Sequence, residues 1–224
     1  QTNWNGIVGD FELQINDKVF IDDLQVYPNE DLTSVKVEAD VTNTSDAAYT
    51  GVLTFSCPDT EKRTVSVALA PGESKTFTVS DYAMPENVKL WSEFDTPLYE
   101  MTASLDSGST TTQTFGMRYF SKGEDGTSLT INGAEVFLRG ETNCAVFPIT
   151  GYAPMDEADW EELFTVYQSY GINFVRFHSW CPPDAAFQAA DKLGLYLQPE
   201  LSCWDGGMLD NDVKKSYYSK EAHA

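Results

Sequence analysis

Basic residues are scarce in this chain of 224 residues: 14 Lys and Arg stand against 35 Asp and Glu, a formal net charge of −21. A surface of that sign repels phosphate backbones and anionic headgroups, so no nucleic acid and no membrane is expected as a partner. Long apolar runs are missing as well, and none approaches the length of a bilayer span. Cysteine is thin. Cys57, Cys144, Cys181 and Cys203 are too few and too scattered for a disulfide framework, and none falls in a Cys-x-x-Cys pair. Each reads as a small buried hydrophobe ahead of a zinc ligand, so no metal and no cofactor is expected. The redox compartment stays open, with a periplasmic or extracellular one favoured over the cytoplasm. Residues Gln1 to Gly6 hold neither Met nor a signal-peptide pattern and read as the interior of a longer protein.

What is present is a core. A hydrophobic share of 42% with 13% aromatics argues against disorder. Residues 6–20 read as one strand, with Phe11, Leu13 and Ile15 on a common face. A lone strand is unstable in water. Residues 1–18 are therefore expected to be the last strand of a domain whose remainder is absent. From Ile21 to about Arg118, short alternating runs recur with turn signals about every ten residues, the mark of an all-β sandwich. Its strands are expected at Val35–Val41, Val52–Phe55, Thr64–Leu69, Lys75–Val79, Val88–Trp91 and Tyr99–Leu105. Trp91 is expected in the core, and Ser107–Thr112 is expected to turn. No catalytic grouping falls in this segment.

Asn132-Gly133 between two apolar alternations predicts a hairpin over Leu129–Leu138. Asp156 fits a helix N-cap, and Trp160, Leu163, Phe164 and Tyr167 share one helical face that Gly171 ends. Pro183 fits a second helix start, with Ala186, Ala189, Ala190 and Leu193 on its apolar face and Gly194 at its end. Leu195–Leu201 reads as a strand and Lys214–Ala224 as a further helix. Between the first two helices lies Gly171-Ile-Asn-Phe-Val-Arg-Phe-His-Ser-Trp180. Alternation places Arg176 and His178 on one face and Val175 and Phe177 on the other. Strand and helix in turn are the βα repeat of a parallel sheet. In a closed barrel the C-terminal strand ends carry the chemistry, so Arg176, His178 and Trp180 read as the floor and wall of a polar pocket. The bland alternative is an Arg buried against a carboxylate for structure. Residues 136–224 supply three βα units, where a full barrel has eight.

With these elements placed, the chain resembles glycoside hydrolase family 2, the group of β-galactosidases and β-glucuronidases. The resemblance rests on Trp4-Asn5-Gly6-Ile7-Val8-Gly9, on Leu90-Trp91 with Pro97-Leu98-Tyr99, and on Phe115-Gly116-Met117-Arg118 with Phe137-Leu138-Arg139-Gly140. It rests also on residues 171–178 and on Ala190–Leu195 with Glu200. It implies the last strand of an absent jelly-roll domain over residues 1–18, an immunoglobulin-like β-sandwich over 19–118, and the first part of a TIM (β/α)8 barrel over 119–224. It implies a fragment of a retaining exo-glycosidase, β-galactosidase-like, acting on a carbohydrate substrate such as an oligosaccharide or a polysaccharide side chain. Substrate-binding roles fall on Asn143, Arg176, His178, Trp180, Glu200 and Trp204. The acid/base and nucleophile are expected beyond Ala224, so no catalytic residue is assigned here and the fragment itself is expected to be inactive. Asn143-Cys144 and Trp180-Cys181-Pro182-Pro183 depart from the commoner family pattern, which puts galactosidase specificity in doubt. An open three-unit barrel leaves its third strand as an edge, from which either self-association or partial disorder of the barrel portion is expected. The alternative reading is a non-catalytic sandwich that binds carbohydrate or spaces domains.

Overall fold

A computed structural model describes residues 9, 11, 13–203 and 207–222 of the chain. The described residues are mostly β-structure with three α-helices. They divide into two compact units, one spanning Leu13–Val136 and the other taking in the described residues from Phe137 onward.

The first unit packs two antiparallel sheets. One holds β1 (Val19–Pro28), β2 (Ser34–Asn43) and β5 (Ser74–Ala83) in the order β1-β2-β5. The other holds β3 (Tyr49–Ser56), β4 (Arg63–Leu69), β6 (Tyr99–Leu105) and β7 (Thr110–Phe115) in the order β4-β3-β6-β7. The period of two does the sorting. Val35, Val37, Ala39 and Val41 of β2, Leu53 and Phe55 of β3, and Met101 and Ala103 of β6 are fully buried in one shared core. Tyr82 is buried with its hydroxyl satisfied, accepting from the Cys57 N–H at 3.0 Å and bonding the Thr60 hydroxyl.

Three local expectations are corrected. Residues 13–17 are not in a strand, and Phe11, Leu13 and Ile15 are almost wholly exposed; the rest of the expected first strand lies outside the described residues. Alternation alone makes no strand without a neighbour to pair with. Residues 88–91 are irregular: Trp91 is buried, as expected, but its backbone is tied to a loop and a side chain. Its N–H donates to the Met117 carbonyl (2.8 Å) and its carbonyl accepts from Asn132 Nδ2 (2.9 Å). The run expected to turn over 107–112 becomes β7 from Thr110, because a row of β-branched threonines pairs readily with β6.

The expected hairpin forms. β9 (Leu129–Ile131) and β10 (Ala134–Val136) pair antiparallel, with Asn132 and Gly133 both at positive φ (53° and 79°) as a two-residue turn of this hand requires. β8 (Phe120–Lys122) adds a third strand beside β9.

The second unit is built on a parallel sheet of three short strands, β11 (Gly140–Asn143), β12 (Phe174–Phe177) and β13 (Tyr196–Gln198), in that order. β13 is shorter than the Leu195–Leu201 run expected, since Pro199 has no N–H to give the ladder. Helix α1 (Glu157–Ser169) begins at Asp156 and stops before Gly171, whose φ of 78° suits glycine alone among common residues. Helix α2 (Asp184–Leu193) follows Pro183 and ends on left-handed Gly194. Helix α3 (Asp212–Glu221) buries no side chain, and Asn211 caps it by accepting from the Lys214 N–H. Trp160 and Phe164 of α1 and Ala186 and Ala189 of α2 close over Val175 and Phe177.

Candidate functional site

Register decides what each face of the parallel sheet carries. Glu141 lies opposite Val175 and Asn143 opposite Phe177, so these four share one face; Val175 and Phe177 are fully buried, which marks it as the helix side. Thr142 lies opposite Arg176, and Arg176 opposite Gln198, so these share the other face. His178 and Glu200, just past the ends of their strands, join them.

Three charged or titratable groups converge there. Arg176 Nε donates to Glu200 Oε1 at 2.5 Å, and Arg176 Nη2 stands 3.2 Å from His178 Nδ1. That same Nδ1 is 3.3 Å from Glu200 Oε2. The Ser179 N–H donates to Glu200 Oε2 at 2.7 Å, which it can reach because Ser179 adopts a left-handed backbone, φ 62°. The Arg176 guanidinium, then the Ser179 N–H, hold the Glu200 carboxyl down at a pKa of about 2. The group is thus an ionised carboxylate paired with a permanent cation. The side chains keep 40% (Arg176), 29% (His178) and 23% (Glu200) of their exposure, so a ligand can reach them.

The loop after β12 is laced to its neighbours. The Asn143 carbonyl accepts from the His178 N–H (2.9 Å) and from Trp180 Nε1 (3.0 Å). The Trp180 carbonyl accepts from the Glu200 N–H (3.2 Å). Residues 178–180 therefore join the ends of all three strands.

The six residues singled out by sequence are distributed as follows. Arg176, His178 and Glu200 come together. Asn143 does not join them: its side chain is buried on the helix side, with Oδ1 accepting from the Ala145 N–H at 2.9 Å. Trp180 packs edge-on against Phe177 and Phe147 and tilted against Trp160, half-buried among the residues beneath α1. Trp204 lies outside the described residues. Three residues were not anticipated. Ser179 carried no signal in its neighbours, whereas Thr142 and Gln198 become visible once the strand pairing is known.

Glu141, a carboxylate on β11, faces the opposite side of the sheet from Glu200. Burial raises its carboxyl pKa against the opposing hydrogen bond of Tyr167. Burial first, then the charge of Glu141, pushes the Tyr167 phenol up to about 12. The two form a helix-side polar pair under α1. Among the described residues no group of three or more His, Cys, Asp or Glu is placed to hold a metal ion.

Comparison with known proteins bears on what such a sheet end serves. Residues 19–118 match the family model described as Glycosyl hydrolases family 2. An exo-β-D-glucosaminidase of Streptomyces avermitilis is 26% identical over 91% of this chain, which spans 24% of that protein. The structure of a GH2 β-galacturonidase from Eisenbergiella tayi, bound to galacturonate, superposes with a TM-score of 0.71 at 18% identity, over 84% of this chain and 33% of that one. An exo-chitosanase from Amycolatopsis orientalis gives 0.66 at 22% identity, over 87% and 24% respectively. The chain thus spans about a quarter to a third of the length of these relatives.

Proposed function

We propose that the chain, whose residues 19–118 match the model of glycosyl hydrolases family 2, is a stretch of a retaining exo-acting glycosidase of that family that hydrolyses terminal O-glycosidic bonds. In this reading residues 19–118 are an immunoglobulin-like sandwich and residues 119–224 open a (β/α)8 barrel. One observation carries it: Arg176, His178 and Glu200 gather at the C-terminal ends of parallel strands, on the face away from the helices. That is where a barrel keeps its ligand.

Arg176 and His178 hydrogen-bond hydroxyls of the terminal sugar. Glu200 orients both, since each of its oxygens is already engaged within the cluster. Trp180, packed on the helix side, and Asn143 anchor the loop through the bond from the indole Nε1 to the Asn143 carbonyl. Trp204 is the remaining candidate for contact with the sugar ring.

Retaining hydrolysis needs two carboxyl groups about 5–5.5 Å apart across one bond. Among the described residues Glu141 and Glu200 face opposite sides of the sheet and do not flank one bond, so in this reading Glu200 serves binding rather than catalysis. The relatives are named for glucosaminides, galacturonides and chitosan, so a galactoside is one candidate among several. The outer strand β13 is also proposed to let copies of the chain associate.

The test pairs two measurements on the 224-residue chain. A panel of chromogenic glycosides should give no turnover above buffer, and turnover abolished by Glu200→Gln would overturn the division of labour. Methyl glycosides at millimolar concentration should shift NMR signals of Arg176 and His178, and Arg176→Met should remove the shifts. Shifts confined to residues 19–118 would favour the alternative, a sandwich that binds carbohydrate without catalysis.

A further inference from the structure

We propose that Arg176 and Ser179 together hold the proton of a neutral His178 on Nε2, so that the site meets its ligand with hydrogen-bond donors and selects acceptor oxygens. The second half of this statement rests on the sugar-binding reading above; the first stands on geometry alone.

Among the described residues three groups face His178 Nδ1: Arg176 Nη2 at 3.2 Å, Glu200 Oε2 at 3.3 Å and Ser179 Oγ at 3.4 Å. They make opposite demands. A guanidinium N–H can only donate, so it asks Nδ1 for a lone pair; an ionised carboxylate can only accept, so it asks Nδ1 for a proton. The serine hydroxyl can do either.

Two features tip the balance. The guanidinium is held in place by the bond from Nε to Glu200 Oε1 at 2.5 Å, so its fork cannot swing away from the imidazole. A proton on Nδ1 would then set two donors against each other at 3.2 Å. Meanwhile Oε2 is already served. The Ser179 N–H reaches it at 2.7 Å, well inside the imidazole distance, so a proton on Nδ1 would add only a second, longer and weaker bond there. A lone pair on Nδ1 thus answers Arg176, and the proton goes to Nε2.

The left-handed turn at Ser179 is what brings that N–H to the carboxylate. Were residue 179 to continue the strand, its N–H would leave Oε2, and Glu200 would compete for the imidazole proton. Ser179 is therefore a positioning residue acting through Glu200. The consequence for recognition is one-sided: the guanidinium and an Nε2–H imidazole both donate, and hydroxyl or carboxylate oxygens of a glycoside accept.

The chain has two histidines, so His223→Ala leaves His178 as its one imidazole. Long-range proton–nitrogen NMR of that ¹⁵N-labelled chain, at a pH where the ring is neutral, should show Nδ1 as the bare nitrogen and Nε2 as the protonated one. A protonated Nδ1, or an averaged pair of signals, would overturn the assignment. Adding Arg176→Met removes the competing donor and should move the proton to Nδ1; an unchanged spectrum would show that Arg176 does not set it. If that variant fails to fold, the spectrum of the parent chain still decides. Ser179→Gly accepts a φ of 62° and keeps the N–H, so the tautomer should hold, whereas Ser179→Val resists that φ and should mix the two forms. Methyl glycosides should then perturb Nε2 more than Nδ1. No perturbation at Nε2 would refute the ligand half while leaving the tautomer result intact.

Discussion

Phe177→Ala tests how far the site depends on what lies behind it. Phe177 is the residue between Arg176 and His178, points the other way and is fully buried. Its ring lies 5.2 Å from that of Trp180 and 6.0 Å from that of Trp160. Truncating a fully buried phenylalanine costs about 3–5 kcal/mol, transfer and cavity together. Against a domain stability of about 5–15 kcal/mol this is a large share. The core it belongs to is separate from the sandwich core, so the loss should stay in the second unit. At about 1.4 kcal/mol per factor of ten, amide protection in β12 and α1 should fall by about a hundred- to several-thousand-fold. Hydrogen exchange read by mass spectrometry resolves this, since β2 and β3 report the sandwich in the same sample. Protection in those strands should be unchanged. A fall of less than about tenfold in β12, or an equal fall in β2, would refute the claim that this ring holds the strand in place.

Other perturbations are read more simply. In Gly116→Ala the new Cβ would meet the Trp91 side chain at 2.9–3.0 Å. Trp91 is buried and cannot retreat, so urea unfolding of the sandwich should show a loss of about 1–3 kcal/mol. Glu200 has a depressed carboxyl, so the stability it adds is present above the ordinary carboxylate range and lost as pH falls from about 4.5 towards about 2. Denaturation midpoints of the second unit across that window should fall less steeply in Glu200→Gln than in the parent chain. Glu141 has the opposite sign: its raised carboxyl opposes folding once ionised, so Glu141→Gln should raise the midpoint at neutral pH and leave it unchanged in acid. Sedimentation should show association of the chain that weakens when a lysine replaces Gln198, the exposed residue of the outer strand β13.

Period and spacing carried much of this architecture into the sequence. Alternation in Val35–Val41 and the Asn132-Gly133 turn are local signals, and both elements form where expected. The same alternation put Arg176 and His178 on one face, and the run towards Glu200 put a carboxylate at the next strand end. What was hidden depends on partners far away in the chain. Asn143 ends a strand only four residues long, and its face is set by register against Phe177, which no local pattern encodes.

Trp180 shows the same limit more sharply. Had β12 run on, a period of two would have carried residues 176, 178 and 180 along one face, and Trp180 would stand beside His178 on the side away from the helices. The strand stops at Phe177, and the left-handed Ser179 breaks the alternation before it reaches residue 180. The indole is thereby sent to the helix side, against Phe177 and Trp160, with its Nε1 on the Asn143 carbonyl. One backbone angle thus does two things at once: it turns an N–H onto Glu200, and it removes an aromatic ring from the face where Arg176 and His178 remain.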